Sequence, residues 1–514
     1  MSKFVKGTLI LLFAGFFTRI LGFINRIVIA RFIGEEGVGL YMISYPTFIL
    51  AVTITQMGLP VAISKRVAEA EALGQHDKVK KILAVSLLIT LSLSFVFTPA
   101  LFFGAPLIAK TFFTDDRTMY PLIAVAPVIP IIAISSVLRG YFQGKQNMKP
   151  AAISQFLEQL VRIVFIIILS HYFLPYGVEW AAAAVMIATI IGEFASLIYL
   201  LTMFKIKKAF SLRNKFFKSL RESQGIFREL MNISMPTMGS RMIGSVAWFL
   251  EPIVVTQALA IAGFSAVTAT KLYGALTGFA MPLLLLPSFI TIALSTSLVP
   301  AISEAYSLKN FIAVEKRLEQ SMKFCLLSGI LSLGILYILA DPLMYMLYKS
   351  DSGTVFIKMM APFFVFQYMQ APLQAALQAL DLARAAMINS LIGNVVRLAV
   401  IFILASKPEF GINGVALGMI VGFVLVSFLH YATILKVIPM TFQVRYYGKT
   451  LLVTSLMILS GKWLVDHLAT SLTSLPLTIV TTTGMTFCFI GGMILLGLLN
   501  VKDVKRFFNG FSWK

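Results

Sequence analysis

The sequence predicts an all-α polytopic membrane protein of fourteen transmembrane helices, arranged as two parallel six-helix lobes plus two extra C-terminal helices. Composition is the first ground. The 514 residues are 58% hydrophobic and 13% charged, with a mean hydropathy of +0.89, which leaves too little polar surface for a soluble chain of this length. The second ground is that the apolar residues gather in fourteen segments, each near the roughly 20 residues that a bilayer-spanning helix needs. The third is that the second half repeats the first.

The first span covers 7–33. Its basic start, MSKFVK, suits a signal peptide, but the apolar run outlasts an h-region and offers no A-x-A site, so it reads as an uncleaved helix. GEEG at 34–37 turns the chain into the span 38–63, and 82–106, 119–142, 151–174 and 179–204 complete the N-lobe, 1–204. A basic cytoplasmic linker, 205–230, leads to the C-lobe, 231–437, with spans 232–259, 265–299, 322–341, 355–380, 385–406 and 412–436. The eighth of these spans is long and holds Pro282 and Pro287. The last two spans, 447–467 and 474–499, belong with the tail to a final segment, 438–514.

The loops set the orientation. Basic residues crowd every second one: KRVAEAEALGQHDKVKK, GKQNMK, KIKKAFSLRNKFFKSLRESQGIFR, the stretch around Lys316 and Arg317, and the tail with Lys502, Lys505 and Arg506. About 30 of the 43 Lys and Arg fall on that side, which places both termini in the cytoplasm. The net charge of +21 therefore resides in short scattered loops rather than in a nucleic-acid-binding surface. Cys325 and Cys488 sit inside apolar runs and build neither a disulfide framework nor a metal site.

The repeat is collinear. VRIVFIIIL (161–169) matches VRLAVIFIL (396–404), YGVEWAAAAVMIA (176–188) matches FGINGVALGMIVG (410–422), VAISKRVAEA (61–70) matches PAISEAYSLK (300–309), and TRILG (18–22) matches SRMIG (240–244). The offsets are 235, 234, 239 and 222. Six helices per unit is an even number, so the two units share one orientation, related by an axis along the membrane normal. That is a transporter design, and no filter or carboxylate ring of an ion channel is visible.

Charges inside the spans are the functional candidates. A cation near the bilayer centre costs about 2.5–3.5 kcal/mol. Arg19 and Arg26 are seven residues apart, within about 20° on one helix face, and Gly15 and Gly22 lie beside them. The repeat keeps Arg241 at the position of Arg19 and Gly244 at that of Gly22. Lys271 adds a further embedded cation. Together these four cations suggest a basic cavity for an anionic substrate, and guanidinium forks suit phosphate. The competing reading is that Arg19 and Arg26 are salt-bridged internally or snorkel to an interface. Glu158 and Arg162 form a favourable i,i+4 pair that reads as structural. Arg397 is the repeat equivalent of Arg162, with Gly393 in place of the acid, so its partner must come from another helix. Glu193 and Glu251 are lone embedded acids, the latter before Pro252. An inside-negative potential would favour outward movement of an anion by about 2.3 kcal/mol per charge per 100 mV.

The motifs IARFIGEEGVGLYMISYPTF, GLPVAISKRVAEA and VLRGYFQGKQNMKP resemble sporulation members of the polysaccharide-transporter branch of the multidrug/oligosaccharidyl-lipid/polysaccharide exporter superfamily. That group includes the lipid II flippases of peptidoglycan synthesis. The resemblance covers essentially the whole chain. It implies two lobes in a V and the movement of an undecaprenyl-pyrophosphate-linked precursor from inner to outer leaflet. It also implies a role in spore cortex peptidoglycan at the forespore outer membrane, with peptidoglycan synthases as partners. Lipid II flippases carry arginines in the first helix, which Arg19 and Arg26 match, and a basic residue in helix 8, where this chain has Lys271. Their basic pair early in helix 2 has no counterpart in YPTFILAVTITQMG. An acid follows their first helix, and Glu35 and Glu36 are the nearest counterparts. The last two helices resemble a pair that forms a groove for the lipid tail. Some relatives bind sodium in the C-lobe, for which Glu251 and Asn394 are the candidate ligands. No cofactor is implied, and Na+, H+ or the membrane potential alone are the alternative drives.

Competing functions have weaker support. A drug/cation antiporter of the same superfamily would favour an acidic, aromatic cavity, against the basic excess seen. Export of another lipid-linked oligosaccharide differs only in the cargo. A membrane glycosyltransferase would need clustered acids or histidines on a sizeable outer loop. The outer loops are short, TDDR at 114–117 is the best candidate, and His76, His171, His430 and His467 are scattered. A non-transporting scaffold would leave the charged two-lobe repeat unexplained.

Overall fold

The computed structural model describes residues 3–207, 224–438, 444–469 and 472–499, and every regular element among them is helical. Most of the expected basic linker (208–223) and the tail with Lys502, Lys505 and Arg506 lie outside the described residues. The all-α polytopic class is therefore what the chain adopts. Eleven helices are long and apolar enough to cross a membrane, or twelve if one bent pair is a single span. The fourteen expected differ at two places. Residues Gly15–Ala72 form one helical run in that count although Gly34 breaks it, and the helix Thr354–Ala379 carries Lys358, Gln367, Gln370, Gln374 and Gln378, which dilute its apolar character.

The chain packs as two compact units, residues 1–278 with 401–415, and residues 279–400 with 416–514. The first unit holds α1 (Lys3–Gln56), α2 (Leu59–Ala72), α3 (His76–Phe112), α4 (Met119–Val125), α5 (Val128–Gly144), α6 (Lys149–Phe173), α7 (Val178–Lys207), α8 (Gln224–Ile261) and α9 (Ala266–Gly274). So α8 and α9, which the repeat counts with the second half, pack with the first.

α1 is two arms joined at Gly34, whose φ of 66° and ψ of −175° interrupt the helix. Only glycine takes that conformation without steric cost, so GEEG ends one span and starts the next. Pro127, between α4 and α5, has no N–H to continue the ladder, and the two helices bend by 44° there. Leu59, Ile63 and Val67 of α2, Ile82 of α3, Tyr141 and Phe142 of α5, Leu200 of α7 and Leu230 of α8 form one buried core.

The second arm of α1 meets α9 through glycines. A Cβ on Gly39 would collide with the Thr270 carbonyl, and one on Gly274 with the Glu35 carbonyl. Gly39→Val is expected to force these backbones apart at a cost of about 1–3 kcal/mol, the range for overpacking. Thermal unfolding of the purified variant measures this, and an unchanged melting temperature would show the contact to be loose.

The second unit holds α10 (Met281–Leu285), α11 (Ser288–Ser307), α12 (Phe311–Ile338), α13 (Ala340–Tyr348), α14 (Thr354–Ala379), most of α15 (Ala383–Ala405) and of α16 (Gly411–Leu435), then α17 (Val444–Leu468) and α18 (Ser474–Leu495). Ile302, Val314, Leu318, Leu373, Ala376 and Ile434 form its main core. The expected eighth span is not one helix. It passes from α9 through a π-helical turn, Ala275–Ala280, into α10 and α11, and the Tyr368 hydroxyl donates to the Leu284 carbonyl at 2.5 Å. The last two helices, α17 and α18, pack on each other through Val453, Met457, Met485, Phe489 and Met493.

Candidate functional site

The heptad spacing of Arg19 and Arg26 survives in the structure as one face of the first arm of α1. Arg19 is exposed and Arg26 half-buried, and a Cβ added to Gly15 or Gly22 would meet nothing within 4 Å. The opposite face presents Phe17 and Ile24, 52% and 40% exposed, as lipid-facing residues do. α8 repeats the pattern. Arg241 and Gly244 are exposed on one face, with open space around Gly244, while Val246 and Leu250 are exposed on the other. An unpaired cation in hydrocarbon is costly. Among the described residues Arg19, Arg26 and Arg241 form no ion pair with an acid, so the internal salt-bridge reading of Arg19 and Arg26 loses its support.

Lys271 is placed differently. Its Nζ lies 3.6 Å from Glu35 Oε2, beside the Gly34 break. Glu35 is 16 residues along α1 from Arg19, about 24 Å at the helical rise. Lys271 thus lies at the Gly34 end of that arm, where Glu35 is nine residues beyond Arg26, about 13.5 Å at the same rise.

That end is held by a polar network. Arg117 forms a fork on Asp115, Nε to Oδ1 at 3.0 Å and Nη2 to Oδ2 at 2.8 Å, and its Nη1 reaches Glu36 Oε1 at 2.6 Å. The Thr270 hydroxyl donates to Asp115 Oδ2 at 3.0 Å, and Ser44 Oγ donates to the Thr118 carbonyl at 3.2 Å. TDDR, considered above as a catalytic loop, is therefore a clasp joining the Gly34 turn, the 113–118 turn and α9. Burial alone would raise the Asp115 pKa. The hydrogen bonds and charge of Arg117, with the Thr270 hydroxyl, outweigh it and hold the carboxyl below its ordinary range. A depressed carboxyl contributes stability that is present above its unfolded value, about 3.9, and is lost as pH falls through the folded value. Asp115→Asn is expected to be less stable at neutral pH by about 1–3 kcal/mol and to lose less on acidification below pH 4. Melting curves across pH check both, and parallel curves for the two proteins would contradict the assignment.

A second cluster lies inside the helix bundle of the first unit. Arg162 Nη2 on α6 meets Glu158 Oε1 at 2.5 Å, one turn away. Glu193, expected to be a lone acid, is not alone. Arg139 Nη2 on α5 lies 3.0 Å from Glu158 Oε2, 3.1 Å from Glu193 Oε1 on α7 and 2.9 Å from Ser196 Oγ. Arg139 was missed because its acids come from two other helices, although its charge inside the span 119–142 marked it. The repeat offsets carry Arg139 to Gln374 (139 + 235), Glu158 to Gly393 (158 + 235) and Glu193 to Ser427 (193 + 234), leaving Arg397 for Arg162. The matching positions of the second unit thus hold neutral residues in place of Arg139, Glu158 and Glu193 and keep one cation, Arg397. The Ser427 hydroxyl donates to the Phe366 carbonyl at 2.7 Å, and the Arg397 stem fills the space over Gly422.

Glu251 is buried on α8 in the first unit, and Asn394 is half-buried on α15 in the second. Among the described residues no group of three or more His, Cys, Asp or Glu side chains gathers as a metal site. In the second unit an apolar cavity of about 580 Å³ opens between α12, α14 and α17, lined by Leu326, Leu333, Tyr337, Pro362, Leu451 and Ile458.

Residues 4–306 match the family model described as polysaccharide biosynthesis protein, more than half of the chain. The chain belongs to this family. A second model, described as MatE, matches residues 252–403. The chain is 59% identical over 447 residues to stage V sporulation protein B of Bacillus subtilis (strain 168), covering 87% of this chain and 86% of that protein. It is 25% identical to the lipid II flippase MurJ of the same organism over 451 residues, 83% of each. Among solved structures it resembles the lipid II flippase MurJ in an inward closed conformation, with a TM-score of 0.66, 17% identity, and coverage of 94% of this chain and 99% of that one. An inward-facing multidrug resistance MATE family transporter of the MOP superfamily gives a TM-score of 0.66 at 16% identity, covering 81% and 93%. The chain thus shares its family with a sporulation protein and its fold with multi-pass membrane transporters.

Proposed function

We propose that this chain is a flippase for an undecaprenyl-pyrophosphate-linked saccharide, with lipid II as its cargo, moved from inner to outer leaflet by alternating access. The observation that carries the reading is the set of arginines, Arg19, Arg26 and Arg241, on helix faces that border open space and among the described residues pair with no acid. Guanidinium groups left without carboxylates suit a ligand that brings its own anionic oxygens, and their planar forks match phosphate. Similarity to the lipid II flippase MurJ supports the cargo class, and similarity to stage V sporulation protein B supports a role in sporulation, which on this reading is spore cortex synthesis at the forespore outer membrane.

In this mechanism Arg19 and Arg26 take the pyrophosphate as it enters from the cytoplasmic leaflet, both termini being cytoplasmic by the distribution of basic loops. Exchanging waters for fixed forks positions the headgroup. The isoprenoid tail stays in the bilayer, with the apolar cavity beside α17 as its resting place. The Asp115–Arg117–Glu36 clasp to Thr270 is the outer gate, because α9 is able to separate from the Gly34 turn only when those bonds break. The membrane potential supplies the drive, about 2.3 kcal/mol per charge per 100 mV, with no Na+ or H+ site required. Peptidoglycan synthases would consume the product outside.

The test is the appearance of labelled lipid II in the outer leaflet of proteoliposomes under an imposed potential. Transfer that depends on the protein and on the sign of the potential is expected. No transfer of lipid II, with transfer of another undecaprenyl-linked saccharide, would overturn the cargo assignment.

A further inference from the structure

We propose that Trp248 is a sugar-binding residue, its indole stacking on a pyranose ring carried by the lipid pyrophosphate; the inference rests on the function proposed above. The repeat locates it. The offset of 222 that carries Arg19 to Arg241 and Gly22 to Gly244 carries Arg26 to Trp248. One arm of the repeat presents two cations on its open face, and the other presents a cation and an aromatic ring.

The side of α8 on which Trp248 lies follows from the charge. Trp248 is seven residues from Arg241, within about 20° of the same face. Arg241 is exposed and among the described residues has no acid partner, so its face borders an aqueous space rather than hydrocarbon. The lipid-facing side of α8 is the opposite one, with Val246 and Leu250. Trp248 is 37% exposed on the aqueous side, so packing against α1 leaves part of its ring open there. Gly244 lies between the two side chains, with nothing within 4 Å of where a Cβ would stand.

The ring is also held in place. Trp248 makes an edge contact with Tyr45, centroids 5.7 Å apart at 67°, which occupies at most one face of the indole. Tyr45 is itself packed against Tyr41 and Phe48. Ser245, three residues before Trp248, lies 3.1 Å from Thr53 Oγ1 and fixes the rotation of α8 against α1. A pyranose offers a face of C–H bonds that complements the negative face of an aromatic ring. Seven residues rise about 10.5 Å, a span suited to a pyrophosphate at Arg241 followed by a sugar at Trp248.

Binding of the purified full-length protein to two probes, undecaprenyl pyrophosphate and lipid II, separates the roles by native mass spectrometry. Trp248→Leu is expected to weaken lipid II about tenfold, near 1.4 kcal/mol, and to leave undecaprenyl pyrophosphate within about twofold. Trp248→Phe, which keeps a smaller ring, should lose about two- to fivefold on lipid II alone, and carries the test if the leucine variant does not fold. Arg241→Ala should weaken both probes. Equal loss on both probes, or no loss on lipid II, in the Trp248 variants overturns the sugar subsite. Selective loss at Trp248 with both probes still binding the Arg241→Ala protein would uphold the subsite and overturn the pyrophosphate grip.

Discussion

Arg19→Ala and Arg26→Ala are each expected to reduce lipid II transfer in proteoliposomes by about 10- to 100-fold, from the loss of charge-assisted bonds of about 1.5–3 kcal/mol. The folded protein should persist. Neither arginine is paired with an acid among the described residues, and Arg19 is exposed, so truncation strands no buried partner. Arg19→Lys should fall between wild type and alanine, because it keeps the charge and loses the two-pronged geometry. Initial transfer rates read alongside melting temperatures check this. Alanine variants that unfold, or that transfer at the wild-type rate, would assign these arginines to structure.

Arg139→Gln is expected to have the largest effect on stability, about 3–5 kcal/mol, by leaving Glu193 and half of Glu158 buried without a cation. Arg139→Gln combined with Glu193→Gln removes one charge of each sign and keeps the Arg162–Glu158 pair, so it should recover most of that loss. The second repeat already has neutral residues, Gln374 and Ser427, at these two positions. Thermal unfolding of the two single variants and the double variant gives the coupling. Additive losses would show that the Arg139–Glu193 bridge contributes nothing of its own.

The helical class was legible because apolar length alone dictates a spanning helix, and the turn at Gly34 because glycine and two acids interrupt that length. The arginine face was legible for a similar local reason, since seven-residue spacing holds along any helix. Pairings between helices were not. Arg139 meets Glu193 across 54 residues, and Thr270 meets Asp115 across 155. Nothing in the local pattern of either segment names its partner. Lys271 shows the same limit. Its charge was visible, but its place beside Glu35 follows from Gly39 and Gly274 letting two backbones approach. A count by helix length and apolar character gives eleven or twelve spans where that rule is weakest, at a helix interrupted by one residue and at one lined with glutamines.

Substituted-cysteine labelling most directly tests the claim that two helix faces present cations to water and grip a pyrophosphate. In a background lacking Cys325 and Cys488, single cysteines at 15, 22 and 244, which lie beside the arginines and have room for a side chain, would be compared with cysteines at 17, 24, 246 and 250, using a membrane-impermeant thiol reagent with and without undecaprenyl pyrophosphate. Labelling is expected at the first three positions, suppressed by the lipid, and little at the other four. Labelling of both faces alike, or labelling at 15, 22 and 244 that the lipid does not suppress, would contradict the claim.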